Sequence, residues 1–65
     1  MNTYYITFSK SHPLFGFHIV VRAVDSQDVR DLANDWFNPL MVTISTSKPK
    51  TNQFRYMEIP IAKLS

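Results

Sequence analysis

Two histidines are the residues of this chain best suited to chemistry. His12 and His18 stand six apart, with Pro13 and the only glycine between them. A turn at that spacing can bring two imidazoles together as an acid–base pair, as in a metal-independent nuclease. Neither histidine has a carboxylate nearby in the sequence to orient it, and His12 beside Pro13 reads equally well as part of the turn. Two imidazoles are too few for a metal site, and with no cysteine in the chain there are no thiolates to complete one. Asp25, Asp28, Asp31 and Asp35 have neither calcium-loop spacing nor a glycine turn. These residues predict no enzyme, no cofactor and no metal centre.

Charge and aromatic character are better candidates than catalysis. The formal net charge is only +2, but it is unevenly spread. Segment 25–37 sets its four aspartates against Arg30 alone, for −3. Lys10, Arg22, Lys48, Lys50, Arg55 and Lys63 face only Glu58 elsewhere, for +5. Asp28, Asp31 and Asp35 therefore form a candidate partner-docking face, set against the plain alternative of a solvated helix face with acids near its N-terminus. A second candidate surface, for a protein partner or a nucleic acid, comprises Tyr5, His18, Arg22 and Arg55 with the basic loop at Lys48 and Lys50. Aromatic rings can stack on bases there while cations track phosphates.

The elements that must position these residues follow from periodicity. Residues 2–9 alternate, with Tyr4, Ile6 and Phe8 on one face and Thr3, Tyr5 and Thr7 on the other, as in a half-buried strand. Residues 10–16 break the pattern and read as a hairpin turn. Residues 17–24 alternate again, placing Phe17, Ile19, Val21 and Ala23 inward and His18, Val20 and Arg22 outward. Across 25–38, Val29, Leu32, Ala33, Trp36 and Phe37 recur at helical spacing, with Asp25 as N-cap, Asp28 at N3 and Pro39 as the stop. A third strand is expected over 40–47 and a fourth over 53–61. The fourth carries a phase conflict that a bulge near Tyr56–Met57, or an end exposed on both faces, would resolve, and Pro60 marks a sheet edge or the end of pairing.

The order ββαββ predicts an α+β fold, a four-stranded antiparallel sheet with one helix packed on one face, in the strand order 2-1-3-4. The expected core is Tyr4, Ile6, Phe8, Phe17, Ile19, Val21, Val29, Leu32, Ala33, Trp36, Phe37, Val42 and Ile44. A single helix covers one sheet face only, so the other is expected to be open to solvent, to a partner or to a second copy in a homodimer. Sixty-five residues form a single domain, 1–65, with one small core. The absence of cysteine and of any basic-then-apolar leader fits a cytoplasmic protein, and no apolar run is long enough to span a bilayer.

The stretch Thr7-Phe8-Ser9-Lys10-Ser11-His12-Pro13-Leu14 has the form T-F-x-x-x-H-P-L. Together with the strand and helix that follow, it resembles a group of short phage and prophage proteins over about residues 4–37. Asn38-Pro39 stands where that group carries glycine and tryptophan, and the C-terminal third departs from it. In size and element order the chain is also similar to a small podophage inhibitor of bacterial RNA polymerase, without shared residues. The resemblance implies a non-enzymatic accessory protein that binds and inhibits a host protein or ribonucleoprotein complex, either transcription machinery or a defence system such as CRISPR interference. The alternative from the residues themselves is a small nucleic-acid-binding protein using the open sheet face and the basic loop.

Overall fold

The computed structural model describes residues 1–59. Strand β1 (Asn2–Phe8) and strand β2 (Phe17–Ala23) form an antiparallel hairpin in which Tyr4 pairs with Val21 and Ile6 with Ile19. The turn between them is a run of tight bonds, His12 N–H to Ser9 O, Phe15 N–H to His12 O and Phe17 N–H to Leu14 O. It closes at Gly16, whose φ of 97° lies in the left-handed region that a side chain disfavours.

Helix α1 (Ser26–Trp36) begins where the capping residues predict. The Asp25 carboxylate accepts the Asp28 backbone N–H at 3.2 Å. It ends two residues before the expected Asn38, because Phe37 turns to extended backbone while its N–H still bonds Ala33 O. Pro39–Met41 then form a single 3-10 turn, capped by the Asn38 side chain on the Leu40 N–H. This turn takes up the first two residues of the expected third strand. Strand β3 is only Val42–Ser45, antiparallel to β1.

Strand β4 (Asn52–Glu58) overturns part of the expected topology. The order is β3-β1-β2-β4, and β4 pairs parallel with β2. The 2-1-3 arrangement stands, but the sheet is mixed, and β4 lies at the edge opposite its expected place. Two features explain this. Residues 46–51 contain Pro49 and no glycine or asparagine to turn a tight hairpin onto β3. In addition, β2 offers a full-length apolar strand for pairing, whereas β3 offers four residues. The bulge sits at Phe54, between the pairs His18–Gln53 and Ile19–Arg55, earlier than expected. Pro60 and Ile61, expected at the end of this strand, lie outside the described residues, as does Lys63.

The crossing from β3 to β4 sets the character of the second sheet face. Ser45 is level with Tyr5, and Asn52 with Phe17. Residues 46–51 must therefore cross three strand spacings, about 14 Å, while moving about 10 Å along the strands. The two combine to about 17 Å, and an extended chain from Ser45 to Asn52 reaches about 25 Å at most, so the connection crosses a face of the sheet with only modest slack. The helix occupies one face, and the loop takes the other. Thr51 meets the His18 ring there, Oγ1 to Nδ1 at 2.9 Å. The face expected to be open is partly roofed.

The core is Tyr4, Ile6, Phe8, Ile19, Val21, Ala23, Val29, Ala33 and Ile59, with Leu14, Leu32, Phe37, Val42, Ile44 and Met57 packed around it. Trp36 and Phe17 do not belong to it. Trp36 is 49% exposed and Phe17 37%. Helix α1 packs on β1, β2 and β3, so its last residue overhangs the sheet and is not pressed into it.

Candidate functional site

The helix presents three distinct flanks. Val29 and Ala33 face the sheet and are buried. One turn takes 3.6 residues, which places Asp28, Asp31 and Asp35 on the flank pointing away from the sheet. Asp31 and Asp35 are exposed and Asp28 half-buried. The Asp31 carboxylate accepts the Gln27 amide at 3.1 Å. This row is contiguous and solvent-facing, as expected. Gln27, Arg30 and Asn34 line the third flank, toward β3.

The six residues expected on the second sheet face and its loop are not brought together as one platform. Tyr5 lies there half-buried, edge-on to the His18 ring at 5.8 Å. His18 itself is 2% exposed, sealed between Tyr5 and Thr51. It is a buried part of the loop crossing and presents no ring to a base. Lys48 and Lys50 are exposed on that crossing. Arg22 lies at the far end, level with Thr3 and Glu58. Its Nε is buried with no hydrogen-bond partner among the described residues, and Nη2 makes a long contact of 3.5 Å to Met1 O. Arg55 is on the opposite face from the others. The Phe54 bulge shifts the phase of β4, so Arg55 stands beside Ile19 on the helix side, with its guanidinium 5.8 Å above the Trp36 ring.

The two histidines are separated by the sheet. His12 packs on the helix side, 4.6 Å from the Phe8 ring and 6.0 Å from Phe37, and its Nδ1 accepts the Leu14 N–H at 3.0 Å. The His18 ring occupies the other face. The acid–base pair that their spacing allows is not assembled. Among the described residues no three His, Cys, Asp or Glu side chains converge as metal ligands.

One surface stands out that the sequence reading did not assemble. On the helix side, at the C-terminal end of α1, Arg55 stacks over Trp36, and the ring of Phe54 meets that of Phe17 at 6.0 Å. Phe17, Trp36, Phe54 and, around the edge, Tyr56 are all exposed. Every residue of β4 is exposed except Met57, which is half-buried. Nothing among the described residues pairs with the outer edge of β4. The available signal was the phase conflict around Phe54 and Tyr56. It shows that Phe54 and Tyr56 cannot share one face with Met57 and Ile59 in an unbroken strand, but not which neighbour the strand joins.

A cleft of about 370 Å³ lies on the other side of the helix, between α1 and β3. Ala33, Val42 and Ile44 form its apolar floor, and Gln27, Arg30 and Asn34 its polar wall. No helix among the described residues is long and apolar enough to cross a membrane. Comparison with known proteins returns no match, whether with family models, with characterised proteins or with solved structures.

Proposed function

We propose that this chain is a non-enzymatic binding module that docks on a larger protein assembly through the β4 edge. The observation that carries this reading is the exposed group Phe54, Arg55 and Tyr56 on β4, joined on the helix side by Phe17 of β2 and Trp36 of α1, with the outer edge of β4 unpaired among the described residues. Large rings and arginine supply most of the energy at protein interfaces, and a small monomeric domain gains nothing by leaving them in water. An unpaired edge adds backbone donors and acceptors that a partner strand can use. The T-F-x-x-x-H-P-L resemblance supports a phage or prophage accessory protein acting in the host cytoplasm. Its target in this reading is a transcription or defence complex, which it inhibits by occupying a surface.

The experiment is affinity capture from bacterial lysate with the wild-type chain, Phe54→Ser and an Asp31→Lys/Asp35→Lys variant. The reading expects one stoichiometric protein partner, retained by the helix variant and lost by Phe54→Ser, whose side chain is 52% exposed and whose fold is checked by circular dichroism. Absence of any stoichiometric protein, together with a salt-sensitive shift of oligonucleotides weakened by Lys50→Ala, would overturn it in favour of nucleic-acid binding.

A further inference from the structure

The cleft between α1 and β3 has the parts of a strand-addition site. In an antiparallel pair, alternate residues turn both their N–H and C=O toward the neighbouring strand. Ser9 N–H bonds Met41 O, and Thr43 stands opposite Thr7, whose Oγ1 also reaches Thr43 O. Met41 and Thr43 therefore face β1. Val42 and Ile44, opposite Phe8 and Ile6, turn their backbone groups outward, to an edge that nothing among the described residues covers. The same two residues lie on the floor of the cleft. Above them, Gln27, Arg30 and Asn34 follow at i, i+3 and i+7, so their side chains line one wall.

We propose that this cleft binds an extended acidic peptide segment as an added strand, paired with the outward backbone of Val42 and Ile44 and with one carboxylate held by Arg30. The choice of occupant rests on charge. Among the described residues Arg30 is the only charged residue lining the cleft, and the Asn34 amide one turn on is a further donor to an anion, whereas Gln27 gives one N–H to Asp31 and keeps only the other. Of the aspartate row, Asp31 alone approaches the wall, where its carboxylate is already engaged by the Gln27 amide at 3.1 Å, while Asp28 and Asp35 lie further round the helix, away from the cleft. Side chains of an added strand alternate, so a carboxylate flanked by apolar residues at every second position meets the polar wall and the apolar floor together. The site lies at the opposite edge of the sheet from β4, and its test is independent of the docking surface there.

The test is an NMR titration of the full chain with a capped heptapeptide of alternating threonine and valine carrying a central glutamate. The expected result is slowed amide exchange at Val42 and Ile44, with shifts at Gln27, Arg30 and Asn34. Arg30→Gln, a change at an exposed position, is expected to weaken binding about tenfold. The same peptide with glutamine at its centre should bind wild type and Arg30→Gln alike. The proposal is overturned by absence of binding, by shifts confined to Phe54, Tyr56 and Glu58, or by equal affinity for a peptide N-methylated along its pairing edge. Protection of Val42 and Ile44 that grows with protein concentration and without peptide would also overturn it, since the edge would then be taken by a second copy.

Discussion

Thr51→Val removes one hydroxyl and preserves side-chain shape, which isolates the bond that fastens the β3–β4 crossing to the sheet. His18 Nδ1 lies 2.9 Å from Thr51 Oγ1, and the His18 ring is 2% exposed. Without the hydroxyl, a buried ring nitrogen loses its partner with no route to water, a situation that costs about 1–3 kcal/mol. The edge-on contact between Tyr5 and His18 at 5.8 Å survives the change, so its contribution of about 0.5–1.5 kcal/mol is not at stake. A chain of this size is stabilised by about 3–10 kcal/mol in total. The loss is therefore large in proportion, and about 4–8 °C of melting temperature should go with each kcal/mol. Thermal and urea unfolding followed by far-UV circular dichroism measure it. Thr46→Val on the same connection is the control, because Thr46 is exposed and its replacement should stay within about 0.5 kcal/mol. If Thr51→Val is as mild as Thr46→Val, then the crossing is not anchored at His18 and the reasoning about the roofed face fails.

Other substitutions separate the true core from residues that only share its periodicity. Trp36→Ala should cost about 1–2 kcal/mol from partial burial and the lost Arg55 contact, while Ile6→Ala, at a fully buried site, should cost about 2–5 kcal/mol; denaturant midpoints that reverse this ranking would return Trp36 to the core. Gly16→Ala meets no atom within 4 Å, so its expected loss of about 1–2 kcal/mol reports backbone conformation alone, and calorimetry showing no loss would place Gly16 outside the left-handed region. Asp31→Lys/Asp35→Lys should leave stability within about 1 kcal/mol, as for exposed charges on a helix, and a larger drop in urea unfolding would mean the row has a structural role.

The helix and the first hairpin were legible because their signals are local. Asp25, Asp28 and Pro39 mark the helix ends within a turn of the residues they act on, and the alternation of β1 and β2 needs only two chain-adjacent strands to satisfy it. The place of β4 was not legible, because it depends on which distant strand offers the longer pairing edge. The misplacement of His18 and Arg55 follows from that one choice. Crossing to the far edge lays residues 46–51 over His18 and turns an expected surface residue into a buried one. Pairing with β2 through a bulge at Phe54 turns Arg55 to the helix side, where it meets Trp36. Trp36 has the right spacing for the core, but α1 ends over a region of sheet that it does not cover. The acidic row needed only helical spacing, and it lies where the sequence placed it.

Hydrogen exchange of this chain, free and bound to its captured partner, tests the docking claim most directly. The account predicts that Phe54, Tyr56 and Glu58 become the most strongly protected amides on binding, with little change over Asp28–Asp35. Protection concentrated on the helix, or a bound state in which the β4 amides exchange as fast as in the free chain, would contradict it.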